Sequence, residues 1–165
     1  MGLPPDRPHH YVRAVFYAAV ALFMFVLPSA SVALALADGG HGSTFAVVGT
    51  WFVFWAVGAR LLTAGIRQVI RPDLTSEGIL GISGREAWLL VRELGFANIG
   101  IGAVGILSLW TPSWRPAAAL AGGLFLLAAG VMHALKPQRD TEESVAMISD
   151  LAIGALMLAY VLWSW

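Results

Sequence analysis

Five long apolar stretches separated by short polar breaks dominate this sequence, and they constrain the fold more than any motif does. They cover, in approximate numbers, residues 14–37, 45–70, 86–110, 116–135 and 145–163. Each is close to the roughly 20 residues that a helix needs to cross the hydrocarbon core of a bilayer. Only 12% of the residues are charged, about half the share in soluble domains. The pattern predicts an all-α integral membrane protein, a bundle of five transmembrane helices in a single domain over residues 1–165.

The basic residues near the ends of these stretches predict the orientation of the bundle. With the N-terminus in the cytoplasm, only Arg115 falls in an external loop, which matches the excess of Lys and Arg on the cytoplasmic side of membrane proteins. The basic residues then on the cytoplasmic side are Arg7, Arg13, Arg67, Arg71, Arg85, Lys136 and Arg139. We therefore expect an N-terminus inside the cell.

Residues 1–37 have a second interpretation, as a signal peptide that would leave four spans. Two arginines precede an apolar run, and Ala35-Leu36-Ala37 before Asp38 has the small-x-small form of a cleavage site. Against this, residues 14–37 are uncharged, and such a run of about 24 residues exceeds the roughly 7–15 of a signal core. Five spans are the favoured interpretation, and the other four keep their orientation in either case.

Composition argues against several classes of function. The formal net charge is zero, so there is no basic surface for nucleic acid. There is no cysteine, which excludes disulfides, thiol catalysis and cysteine-ligated metal. The run GIGAVG at residues 100–105 matches a nucleotide-binding fingerprint, but it lies inside an apolar segment with no preceding strand. We predict no nucleotide, no cofactor and no catalytic residue, and lean away from an enzyme.

Small residues line two opposed faces of the third segment. One face is a groove for another helix, since small residues let helix backbones approach closely in membranes; it comprises Gly95, Asn98, Gly102 and Gly105. The opposite face comprises Glu86, Glu93, Ala97 and Gly100. We therefore expect the third helix at the centre of the bundle. A similar stripe in the fourth segment, expected to pack against the groove, comprises Ala119, Gly122, Ala129, Gly130 and His133.

Apart from Arg67 and Glu86 close to segment ends, four charged residues interrupt the apolar segments, namely Arg60, Arg92, Glu93 and Asp150. Each costs about 2.5–3.5 kcal/mol at the centre of a membrane helix, so such residues normally face the interior and pair with one another. Their charges sum to zero. With Asn98 and His133 they are predicted to form a buried polar network in the cytoplasmic half of the bundle, where we expect Asn98 to hydrogen-bond across helices.

A metal site is a weaker interpretation of the same residues. Glu93, His133 and Asp150 come from three different segments, and helix bundles can hold metals with such side chains. No Glu-x-x-His or His-x-x-x-His spacing fixes two ligands on one helix, however, and cysteine is missing. We predict no metal.

A family resemblance rests on RELGFANIGIGAVGILSL at residues 92–109, HALK at 133–136 and AMISDL at 146–151, with TAGIRQVIRPDLTSEGILG before them. Together they resemble a bacterial family of small, uncharacterised multi-span membrane proteins over about residues 55–160, with the first span outside the match. More distantly, the arrangement is similar to DoxX-like membrane proteins. The resemblance implies a bacterial cytoplasmic (inner) membrane, with Arg92, Glu93, Asn98, His133 and Asp150 as characteristic polar positions.

Three functions remain open from the sequence. The favoured one is a structural, accessory or ligand-binding bundle whose polar network holds the helices together. One alternative is a proton-coupled transporter of small solutes that uses Glu93 and Asp150 as titrating groups. Another is a membrane subunit associated with quinone or an oxidoreductase. The expected partners are the lipid bilayer and either further copies of the chain or another membrane protein.

Overall fold

The computed structural model describes residues 7–39, 42–77 and 81–164, with side chains from residue 13 onward, and these ranges contain helices and no strand. Two helices include a π-helical stretch: α1 consists of Arg7–Ala21, π-helical Leu22–Val26 and Leu27–Ala37, and α2 of Thr44–Phe52, π-helical Val53–Ala59 and Arg60–Ile70. The remaining helices are α3 (Pro72–Ser76), α4 (Arg85–Leu107), α5 (Arg115–Leu135, after a 3-10 turn at Pro112–Trp114) and α6 (Thr141–Ser164). All but α3 are long and apolar enough to cross a membrane. The prediction of an all-α, five-span membrane bundle is confirmed.

Polar residues in the breaks end one helix and begin the next. The Ser43 hydroxyl accepts a hydrogen bond of 3.1 Å from the Ala46 amide at the start of α2. The Asp140 carboxylate accepts one of 2.8 Å from the Glu143 amide at the start of α6. Both side chains satisfy backbone donors that a first helical turn leaves free. In the sequence, an acidic Asp140 followed three residues later by Glu143 has the form of a capping box, which predicts a helix start there, and α6 does begin at this point.

Helix α2, and not α4, lies at the centre of the bundle. It packs against α1, α4, α5 and α6. In its most apolar stretch 44% of the residues are buried, against 28% in α4. The expectation that the third span is central was wrong, because one of the two faces that suggested it, the one with Glu93 and Gly100, is exposed.

The glycine groove of α4 exists, but its partner is α2. A Cβ added to Gly102 would lie 2.5 Å from the Leu62 backbone nitrogen, and one on Gly105 would lie 2.7 Å from the Gly58 Cα. The two backbones are therefore in direct contact, which small residues allow. The prediction that the groove packs against the fourth span was wrong, since α2 occupies it.

The small residues of α5 serve two other neighbours. Gly122 faces the Val57 side chain of α2, while a Cβ on Gly130 would lie 2.7 Å from the Leu151 side chain of α6. The α5–α6 and α2–α4 contacts are the two most extensive helix pairs in the bundle. As a result, α4 touches α5 only along a narrow strip, and one side of α4 remains open.

Candidate functional site

An ion pair between α2 and α6 lies in the interior of the bundle. The Arg60 Nη2 donates to the Asp150 Oδ1 at 2.8 Å, and the two side chains are 17% and 5% exposed. Asp150 lies nine residues after the start of α6 and Arg60 ten residues before the end of α2, which places each about 14–15 Å along its helix. We call this contact the interior ion pair. It joins two helices near the middle of their length.

The local structure of α2 sets the direction of Arg60. The π-helical stretch Val53–Ala59 ends directly before it, and a π turn holds one more residue than an α turn, so it shifts the faces of the residues that follow. Gly58 then faces α4, where a Cβ would lie 2.8 Å from the Ile106 nitrogen. Arg60 lies on the other side of the helix, towards Asp150. One helix therefore presents a glycine face to α4 and a charged face to α6.

Two further basic side chains lie on α5 and on the Arg60 face of α2. His133 of α5 is half-buried and close enough to the Asp150 carboxylate to interact with it electrostatically. Arg67, two turns beyond Arg60 on the same face of α2, is also half-buried. The single acid thus has basic groups from two helices near it. Nearby basic groups favour the charged form of a carboxylate, and burial opposes it.

A second polar contact links α2 to α4. The Asn98 Nδ2 donates to the Gln68 Oε1 at 2.8 Å. Asn98 is buried, and its Oδ1 has no hydrogen-bond partner among the described residues. The sequence predicts a cross-helix bond for Asn98 without its partner. Gln68 follows Gly65 by three residues and so shares its face of α2, which is the signal that would have identified it.

Arg92 and Glu93 differ from their predicted placement in the buried network. Both are exposed on α4, and neither makes a hydrogen bond or ion pair to a side chain that the structure describes. The reason is the glycine groove. Close packing of Gly95, Gly102 and Gly105 on α2 turns the charged side of α4 outward.

The outward position of Glu93 also argues against the metal interpretation. Glu93 is exposed on α4, while Asp150 is buried beside Arg60 between α2 and α6. Within the described ranges no three His, Asp or Glu side chains converge as a metal site would require.

Charged contacts also close the end of the bundle at which α1 begins. Arg13 of α1 pairs with Glu142 of α6, and Lys136 pairs with Glu143 across the α5–α6 turn. Neither glutamate is predicted as a partner from the sequence. Their position in the first turn of a helix, where acids are favoured, facing a basic residue near another helix end, is the available signal.

A shallow apolar groove of about 310 Å³ separates α4 from α5 in the half of the bundle farther from these pairs. Its lining is Gly100, Ile101, Val104, Ala117, Ala118 and Ala121. No side chain there can titrate or donate a hydrogen bond. The groove can therefore make apolar contacts, but its side chains cannot take part in acid–base or nucleophilic catalysis.

A model of the family of unknown function DUF6790 matches residues 16–165. The chain belongs to this family. No curated protein and no solved structure matches the chain. The match begins inside α1, and so includes the first span, and it fits the expectation of an uncharacterised family. The likeness to DoxX-like proteins stays a prediction.

Proposed function

We propose that this DUF6790 protein is a structural or accessory membrane protein and not an enzyme. In this proposal the interior ion pair holds the helices of the bundle together, a role that we call the lock. The observation that carries this is the 2.8 Å contact between Arg60 and Asp150. Each charge alone would be costly in a membrane interior. Together they neutralise each other and join the central helix to α6.

The surroundings of the pair support a lock more than a reaction centre. Two other buried polar side chains donate hydrogen bonds within the bundle: the Ser149 hydroxyl to the Ala146 carbonyl at 3.0 Å, and the Asn98 amide to Gln68. The groove between α4 and α5 has an apolar lining. A binding or catalytic site normally combines a pocket with a few convergent polar groups, and in the described structure these two features lie apart.

The test is a set of variants of the interior ion pair. Asp150→Asn and Arg60→Gln each leave one partner buried alone, so each should lower the free energy of unfolding by about 3–5 kcal/mol. The double variant Arg60→Met with Asp150→Leu replaces both charges by apolar groups and should recover most of that loss. Unfolding of purified protein in mixed micelles and the yield of folded protein measure both effects.

The matched control is the exposed ion pair between Arg71 and Asp73 outside the spans. Its side chains are 60% and 33% exposed, so Arg71→Gln should leave the unfolding free energy nearly unchanged. An Asp150→Asn variant as stable as the unaltered protein would disprove the lock.

Proton-coupled transport is the second candidate, and one observation favours it. Asp150 lies near both Arg60 and His133, and the Arg60 side chain keeps 17% of its surface exposed. If the acid moves protons, proteoliposomes should acidify in response to an imposed solute gradient. Asp150→Asn should abolish that signal in protein that remains folded. Fluxes equal to those of empty vesicles across pH 5–8 would exclude it.

A further inference from the structure

The open side of α4 carries a repeated charge pattern that the bundle does not use. Arg85 and Glu86 are followed seven residues later by Arg92 and Glu93. All four side chains are exposed, and none contacts an opposite charge on a described side chain. An Arg or Glu on a helix can also pair with residues three or four positions away. For Arg92 and Glu93 these neighbours are all apolar: Trp88, Leu89, Leu90, Gly95, Phe96 and Ala97.

Depth makes this pattern costly for a single copy. Arg92 lies seven residues into α4, about 10 Å along the axis, in a helix long and apolar enough to span the membrane. Ionised side chains at such depth normally face protein and pair there. A partner on this face must therefore bring both a carboxylate and a guanidinium to the same level.

A second copy of the same helix meets that requirement by geometry. Consecutive residues are about 100° apart around a helix, so Arg92 and Glu93 lie on two flanks of one face. In a parallel pair related by a two-fold axis, each flank of one helix faces the opposite flank of the other. Arg92 of one copy then meets Glu93 of the other, twice. The heptad spacing places Arg85 and Glu86 on the same flanks one repeat earlier.

The strip between the two flanks fits close helix packing. Leu89, Phe96 and Ala103 lie along it at intervals of seven residues, the repeat that keeps two helices in contact as a left-handed pair. Leu89 and Phe96 are exposed in the single copy. Gly100 lies beside them, and a Cβ there would meet nothing within 4 Å, whereas Gly95, Gly102 and Gly105 all contact α2 closely. The packing of one copy thus gives Gly100 no reason to be small.

We propose that α4 is a homodimer interface, a parallel two-fold contact in which Arg92 of each copy pairs with Glu93 of the other and Arg85 with Glu86. The partner is a second copy because the pattern is self-complementary: the face supplies both signs at one depth. The interior ion pair lies between α2 and α6, away from this face. The dimer and the lock can therefore fail independently.

Charge reversal tests the pairing directly. Arg92→Glu alone or Glu93→Arg alone places like charges opposite each other in a homodimer, so dimerisation in lipid vesicles should weaken about tenfold or more. Co-expression of these two variants under different tags should restore a heterodimer, because each copy then supplies the charge that the other lacks. The double reversal, Arg92→Glu with Glu93→Arg, should form homodimers again and should not pair with the unaltered chain.

Cross-linking through single introduced cysteines tests the same interface. The natural chain has no cysteine, so any disulfide between copies must involve the introduced residue. Phe96→Cys should cross-link two copies under oxidation. Ile148→Cys, which is exposed on α6 seven residues after the helix start, compared with eleven for Phe96 on α4, should not. Förster transfer between labelled copies, measured over a range of protein-to-lipid ratios, gives the affinity, and unfolding of dilute single copies should be the same for all charge variants.

Any one of four results would overturn the proposal. The unaltered protein could remain a single copy at every protein-to-lipid ratio. The two single reversals could associate as well as the unaltered chain, or fail to rescue each other. Equal cross-linking of Phe96→Cys and Ile148→Cys would show random collision and not an interface.

Discussion

Arg60 and Arg92 both interrupt apolar helices, yet among the side chains that the structure describes only Arg60 has an acid from another helix beside it. The two residues are alike in type and in membrane cost. What separates them is the face of the helix on which each lies. Arg60 is opposite the glycine face of α2, towards α6, whereas Arg92 is on the side of α4 that the glycine groove turns outward.

At the residue scale, Gly100 and Gly102 of α4 should differ in how their substitution by alanine changes the stability of the protein. A Cβ on Gly102 would lie 2.5 Å from the Leu62 nitrogen, so Gly102→Ala should destabilise the protein by about 1–3 kcal/mol through forced separation of α2 and α4. A Cβ on Gly100 meets nothing within 4 Å. Gly100→Ala should therefore be neutral or stabilise the single copy by about 0.5–1 kcal/mol, through helix propensity.

Unfolding of dilute, single-copy protein in micelles measures both variants side by side. Equal destabilisation by the two substitutions would contradict the proximity of the α2 and α4 backbones. A loss confined to Gly100→Ala would place a close neighbour on the open face.

At the scale of single elements, α2 determines the architecture. Its glycines admit α4, its Val57 fits against Gly122 of α5, and Arg60 reaches α6. One helix thus makes a different kind of contact with each of three neighbouring helices. This explains why removal of a single packing position in α2 should affect several helix pairs at once.

The short helix α3 offers an element-scale prediction about pH. Arg71, hydrogen-bonded to Asp73 at 2.8 Å, holds the pKa of that carboxyl below its ordinary value. A lowered folded-state pKa stabilises the folded form above the unfolded value of about 3.9, and this contribution is lost as pH falls through the folded-state pKa. The protection of the α3 amides against exchange, relative to their intrinsic exchange rates, should therefore be lower below pH 4 than at pH 6.

Hydrogen exchange corrected for the intrinsic effect of pH measures this change. Asp73→Asn should exchange at a rate that no longer depends on pH, apart from the intrinsic effect. An unaltered chain whose α3 amides are equally protected at pH 3 and pH 6 would contradict the role of the pair.

At the scale of the whole molecule, the helices alternate in direction, so the basic residues collect at one end of the bundle. Ion pairs there join α1 to α6 and close the α5–α6 turn. The opposite end has Arg115 in the loop between α4 and α5. The asymmetry predicts that the end with the ion pairs faces the cytoplasm.

Orientation can be measured with single cysteines at opposite ends. Ser113→Cys, exposed in the α4–α5 loop, should react with a membrane-impermeant maleimide on intact cells. Gln138→Cys, exposed in the α5–α6 turn, should react only after the membrane is permeabilised. Labelling in the reverse order would invert the assignment.

Sequence patterns were most informative where one residue property decides the outcome. Hydrophobic length located every span, and Asp140 before Glu143 located the start of α6. The small residues of α4 identified a real groove, but not whether α2 or α5 fills it. Gln68 was missed because a polar residue near a helix end is ordinary on the sequence alone, and its importance comes from Asn98 on another helix.

The sequence by itself determined that this chain is a five-span helical membrane bundle, because water-to-lipid transfer depends on composition along each segment and backbone hydrogen bonds close within each helix. Only the tertiary structure decided that α2 is central, that Arg60 pairs with Asp150, and that Arg92 and Glu93 lie on the surface. Those outcomes depend on the rotation of each helix about its axis. Close contact between glycine backbones on different helices sets that rotation, and it involves residues far apart in the chain.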